Sequence, residues 1–72
     1  MPNLMERMEQ LKAEKLLLQK DIAKGVGLAL RTYQYYEKGE RIPDANSLIA
    51  LARFFDVSID YLVGESDDPA RR

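Results

Sequence analysis

Residues 19–36, QKDIAKGVGLALRTYQYY, decide how this chain folds. Counting Gln19 as the first position, Ile22, Ala23, Val26, Gly27, Leu28, Tyr33 and Tyr36 fall at the fourth, fifth, eighth, ninth, tenth, fifteenth and eighteenth. One continuous amphipathic helix does not give this spacing; two helices sharing a core across a short turn do. Ile22, Val26, Leu28, Tyr33 and Tyr36 face that core in this reading. Ala23 stands where two steeply crossing helices leave no room beyond a methyl group. Gly27 supplies a left-handed turn that costs a residue with a Cβ about 1 kcal/mol. Any helical hairpin with a glycine turn shares the apolar spacing, but Ala23 and Gly27 in one frame favour a tightly crossed pair.

Outward from that segment the signals are helical throughout. Asn3 is placed to cap a first helix with Leu4, Met5, Met8 and Leu11 at helical spacing, Glu6 at its positive end and Lys12 and Lys15 at its negative end. Leu16, Leu17 and Leu18 cover the connection. The second helix is expected from Gln19 to Val26, with a loose last turn at Gly25. The third begins near Leu30 and ends at Gly39. Pro43 pushes Ile42 toward extended backbone. Asp44 then caps a fourth helix carrying Leu48, Ile49, Leu51, Ala52 and Phe55 toward the core, and Ser58 caps a short fifth helix over 59–63 that stops at Gly64. The expected architecture is all-α and five-helical, a domain over 1–64 followed by a flexible tail, ESDDPARR, over 65–72.

Composition excludes several functions. In 72 residues there is no cysteine and no histidine, so neither a disulfide nor an imidazole-based metal or catalytic site is available. A chain this short buries only about 60 % of its unfolded surface, and a 46 % hydrophobic content is enough for one compact core. No apolar run reaches the roughly 18 residues of a membrane helix, and MPNLMERMEQ lacks the basic start and apolar stretch of a signal peptide. A cytoplasmic protein is expected. No nucleophile with a base partner, phosphate-cradling glycine loop or metal-ligand cluster is present, so neither an enzyme nor a cofactor is expected.

A net charge of −1 argues against a nucleic-acid partner until its distribution is considered. Residues 1–18 are neutral. Residues 19–43 set Lys20, Lys24, Arg31, Lys38 and Arg41 against Asp21, Glu37 and Glu40, a local +2, while residues 44–72 sum to −3. So small an excess calls for two copies on DNA.

Two downstream stretches sharpen the reading. Leu17 and Gln19, Ile22-Ala23 and Gly27 are followed by Tyr36-Glu37-Lys38-Gly39-Glu40-Arg41-Ile42-Pro43, similar to a "YExGxRxP" pattern. Leu48, Leu51-Ala52, Phe55, Val57-Ser58 and Asp60-Tyr61-Leu62 then follow "LxxLAxxFxVSxDYLxG". Over about residues 8–64 the chain resembles the lambda Cro and CI repressor-like family, also called the XRE family of helix-turn-helix regulators. The resemblance implies a lambda-repressor-like DNA-binding domain with the helix-turn-helix in helices two and three. It departs from the family at Leu18 and Ala29, where capping Ser or Thr is usual, at Leu16, often Gly, and at Gly25, where glycine is rare. Each lost cap costs about 1 kcal/mol.

By that resemblance Gln19 opens helix two against DNA backbone, a favourable place for phosphate on physical grounds as well, although Gln19 also serves as an ordinary helix start. Helix three is the expected recognition helix. Its outward residues are Leu30, Arg31, Gln34, Tyr35 and Lys38. Arg31 can bridge O6 and N7 of guanine, Gln34 can read adenine, Leu30 can pack on a thymine methyl and Tyr35 can reach phosphate or sugar; each also reads as a solvated surface residue. Lys38 and Arg41 match phosphate-contacting positions, and Glu37 is implied to pair with Lys12 as a structural ion pair.

The function expected is a sequence-specific transcriptional regulator, a repressor in the first instance, that binds double-stranded palindromic DNA as a homodimer. Phe54, Ile59, Leu62 and Val63 are the candidate dimer interface, with core packing an equal alternative. The competing function is an antitoxin-like module for a protein partner, a toxin or another regulator, with Asp60, Glu65, Asp67 and Asp68 as its acidic docking feature and DNA binding secondary.

Overall fold

Five helices succeed one another in the computed structural model, which describes residues 2–71: α1 (Leu4–Glu14), α2 (Gln19–Val26), α3 (Leu30–Lys38), α4 (Ala45–Phe55) and α5 (Ile59–Leu62). Met1 and Arg72, the outer ends of the expected domain and tail, lie outside the described residues. Three of the starts follow the predicted chemistry. Asn3 accepts from the Glu6 amide at 2.9 Å while Glu6 returns a bond from the Asn3 N–H at 3.1 Å, a reciprocal capping box. Asp44 and Ser58 cap α4 and α5 through Ser47 and Tyr61.

All five helices end alike, on a left-handed residue followed by a six-to-one amide bond. The left-handed residues are Leu16, Gly27, Gly39, Asp56 and Gly64. The closing bonds run from Leu17 to Lys12, Leu28 to Ala23, Glu40 to Tyr35, Val57 to Ala52 and Glu65 to Asp60, at 2.8 to 3.0 Å. Leu16 is the misfit. At φ 54° its Cβ crowds the backbone, and its side chain, 91 % exposed, recovers nothing by packing. Leu16→Gly is therefore expected to raise stability by about 1 kcal/mol, or about 4–8 °C in Tm, in a thermal melt.

The turn between α2 and α3 carries the core as its spacing implied. Ile22, Ala23, Tyr33 and Tyr36 are buried with Met8, Leu11, Leu51, Phe55 and Leu62, and Val26 and Leu28 pack at the edge. Gly25 does not loosen the end of α2. It lets the bare backbone seat the Phe54 ring, where a Cβ would collide. Phe54 in turn meets Phe55 edge-on, centroids 5.4 Å apart.

Arg7 is the residue whose charge hides its role. Buried at 4 % exposure, it donates through Nε to the Tyr61 carbonyl at 2.9 Å, through Nη1 to Gln10 and through Nη2 to the Ser66 carbonyl, with its guanidinium 3.7 Å from the Tyr61 ring centroid. Residues 65–71, expected to trail as a flexible tail, lie back along this seam. The Ser58 amide donates to Pro69 at 3.0 Å, Asp67 lies 3.6 Å from Arg7, and Arg71 pairs with Asp56 at 3.3 Å.

Candidate nucleic-acid interface

α3 turns one face to the core and the other toward solvent. Tyr33, Tyr36 and Glu37 are buried, whereas Leu30, Arg31 and Lys38 are exposed and Gln34 and Tyr35 are half-buried. Arg31 and Lys38 form no ion pair with any described residue, so their charges remain directed to solvent. Arg41, beyond the end of the helix, lays its guanidinium 4.6 Å from the Tyr35 ring centroid. That contact orders a long flexible cation at little electrostatic cost. Leu30, 43 % exposed, stands at the first position of α3.

Neither α2 nor α3 has a side-chain cap on its first amides. Leu18 and Ala29 occupy the N-cap positions, and the one compensation is the Asp21 carboxylate accepting from the Leu18 N–H at 3.2 Å. Unclaimed first-turn amides and the positive ends of two helices favour an anion there.

Behind this surface a polar chain links three helices. Lys12 Nζ on α1 donates to Glu37 Oε1 at 2.7 Å, Gln19 Nε2 on α2 donates to the same oxygen at 2.8 Å, and Gln34 Nε2 donates to Gln19 Oε1 at 3.1 Å. The Lys12 and Glu37 pair implied by resemblance is thus in contact, and Gln19 and Gln34, read separately from sequence, touch. Nothing in the sequence signals that second contact across 15 residues, since two glutamines on different helices carry no spacing rule. Glu9 joins at the edge, 3.5 Å from Lys12.

The Glu37 side chain is only 5 % exposed. Burial alone would raise its carboxyl, but its polar neighbours Glu9, Lys12, Tyr33 and Gln19 outweigh burial and hold it at about 2, below the ordinary 4.5. Burial of the Tyr33 hydroxyl, reinforced by the Glu37 carboxylate beside it, keeps that hydroxyl protonated far above the usual tyrosine range. Because the Glu37 carboxyl is depressed on folding, its contribution is complete above about pH 4.5 and is lost as pH falls toward 2. Glu9, raised mainly by its interaction with Glu37, offsets part of this. Urea melts should show stability falling over that window, and less steeply in Glu37→Gln; equal slopes would contradict the assignment.

The expected dimer residues separate. Leu62 is wholly buried, because the single turn of α5 points it into the core, and Phe54 is committed to Gly25 and Phe55. Leu62 therefore has no surface left for a partner, and Phe54 keeps only part of its ring exposed. Ile59, 43 % exposed, and half-buried Val63 remain, and Ile59 shares with Ile49, itself 37 % exposed, a groove of about 710 Å³ edged by Arg53, Asp60 and Arg71. Among the described residues no helix is long and apolar enough to cross a membrane, and no cluster of acidic side chains could hold a metal.

The fold is shared with known proteins. The helix-turn-helix family model matches residues 8–62. The HTH-type transcriptional regulator YobD of Bacillus subtilis is 38 % identical over 64 residues, 89 % of this chain and 57 % of that protein. The cryptic phage CTXphi transcriptional repressor RstR of Vibrio cholerae is 36 % identical over 61 residues, 85 % of this chain and 55 % of that protein. The chain thus spans about half the length of the curated relatives it matches. Among solved structures, the DNA-binding domain of the P22 c2 repressor superposes with a TM-score of 0.80 at 26 % identity, over 85 % of this chain and 80 % of that one.

Proposed function

The chain belongs to the helix-turn-helix family, in its Cro/CI-type branch, and from that premise we propose that it is a sequence-specific DNA-binding transcriptional regulator, a repressor, bound to a palindromic operator as a homodimer. One observation carries the reading. The outer face of α3 presents Leu30, Arg31, Gln34 and Lys38, with Arg41 ordered beside them, while the inner face of the same helix is spent on the core.

α3 enters the major groove, with Arg31 at a guanine edge and Leu30 at a thymine methyl. Gln19 and the open amides of α2 and α3 meet phosphate, and Lys38 and Arg41 add salt-sensitive affinity without sequence information. Tyr35 contributes by holding Arg41. A single domain reads too few base pairs, so two copies occupy half-sites about one helical turn apart. Ile49 and Ile59 supply apolar surface for the pair, and the charges of both signs around their groove suit a two-fold contact in which each faces its opposite. The names of RstR and of the P22 c2 domain support this reading for the matched region. A protein partner drawn by the acidic residues has less support, since Asp67 is already engaged with Arg7.

Sedimentation of the chain with duplexes selected from a random pool tests the assembly. Two chains per palindromic duplex are expected. One chain bound per duplex, with a half-site held as tightly as a full site, would contradict it.

A further inference from the structure

We propose that Lys12 and Glu37, behind the DNA-facing surface, determine which base Gln34 accepts by fixing the donor and acceptor directions of the Gln19 and Gln34 amides. The inference rests on the DNA-binding reading above and concerns one base pair within it.

A lysine ammonium only donates hydrogen bonds and an ionised carboxylate only accepts them, whereas a glutamine amide does either, depending on which way it is turned. Lys12 donates to Glu37 Oε1 at 2.7 Å and keeps that carboxylate an acceptor. The Gln19 group 2.8 Å from the same oxygen must then be its NH2. The Gln19 carbonyl consequently points the other way, and the Gln34 group 3.1 Å from it must also be an NH2. Polarity set on α1 is transmitted through three hydrogen bonds to α3.

The outcome is a Gln34 whose amide cannot turn over without placing two carbonyl oxygens against each other. Its Oε1 takes no hydrogen bond from a described residue, and one of its two N–H groups is committed to Gln19. A fixed acceptor with one spare donor beside it matches adenine, which offers an N6 donor and an N7 acceptor in the major groove. Guanine and thymine offer only acceptors to that oxygen, and cytosine offers it a donor but no acceptor for the spare N–H. A free glutamine could rotate to donate to guanine; this one is held. Discrimination comes from the removed alternative more than from a stronger contact.

Lys12 and Glu37 are positioning residues here, and base preference at a single position is a readout that a merely structural pair would not move. The experiment is selection of bound duplexes from a random pool by the wild type, Gln34→Ala, Glu37→Gln and Gln19→Ala. Gln34→Ala identifies the position read. There the wild type should favour adenine by roughly five- to a hundred-fold, the range of one good bidentate contact. In Glu37→Gln, where the acceptor-only group becomes an amide that turns either way, guanine should be admitted at that position while the others keep their preferences. Gln19→Ala cuts the relay without touching the ion pair, so it gives the same relaxation even if Glu37→Gln folds poorly. An unchanged adenine preference in both variants, or a wild type preferring any base other than adenine there, would overturn the relay. A wild type that selects no sequence at all would instead overturn the DNA-binding reading, and the relay with it.

Discussion

Arg7→Ala should cost about 3 kcal/mol of stability, the largest loss expected from any charged residue in the domain. Its guanidinium bonds α1 to both α5 and the returning tail, through Tyr61 O at 2.9 Å and Ser66 O at 3.4 Å. Hydrogen bonds from a charged donor are worth about 1.5–3 kcal/mol each, and the cation over the Tyr61 ring adds about 1 kcal/mol. Truncation does not strand a buried charge, since the ionic partner Asp67 is 84 % exposed; the Tyr61 carbonyl loses its charged donor and keeps only the Gly64 N–H at 3.2 Å. The sum therefore falls short of the parts. Against a stability of about 5–15 kcal/mol for a small domain this loss is large. Arg7→Met restores the apolar stem without the donors, so it should recover less than half of the loss in urea melts. Full recovery by methionine would show that Arg7 acts by packing alone.

Arg7 also marks where sequence reasoning stopped. Apolar periodicity located the helices because it is a local signal: Met8, Leu11, Ile22, Ala23, Tyr33, Tyr36, Leu51 and Phe55 all recur at helical spacing, and all are buried. Caps were legible for the same reason at Asn3, Asp44 and Ser58. A basic residue on the first helix carries no local mark of burial, and its partners lie 54 and 59 residues away. Gly25 misled in the same way. Its helix-weakening propensity is visible in the sequence, while the Phe54 ring that requires a bare backbone is 29 positions on. For Leu62 the sequence left dimer contact and core packing equally open, and the fold buries it, while Ile59 is the exposed apolar residue of α5. At the interface, the outward identities of Leu30, Arg31 and Lys38 followed from the helical face. The coupling of Gln19 to Gln34 did not, because it depends on how two helices are set against a carboxylate on the third turn of one of them.

Arg31→Ala should have the largest effect on recognition. The side chain is exposed on α3 with no ion pair to any described residue, so its removal disturbs neither core nor relay, and the fold should melt within about 0.5 kcal/mol of the wild type. A guanidinium bridging guanine O6 and N7 is worth about 1–3 kcal/mol of discrimination per half-site, and two half-sites double it, a loss of roughly 30-fold to 10⁴-fold in specific affinity. Binding to random DNA should fall far less, by one phosphate-sized electrostatic contact at most. Lys38→Ala should do the reverse, weakening both kinds of duplex alike and flattening the salt dependence by about one unit of slope for each copy.

Whether this surface reads sequence is decided by titrating the chain with a selected duplex and with its scrambled counterpart at several salt concentrations. At least a thousand-fold preference for the selected duplex is expected near physiological salt, with Arg31→Ala removing most of it. Equal affinities and equal salt slopes for the two duplexes would contradict it, leaving only charge attraction where base readout is claimed.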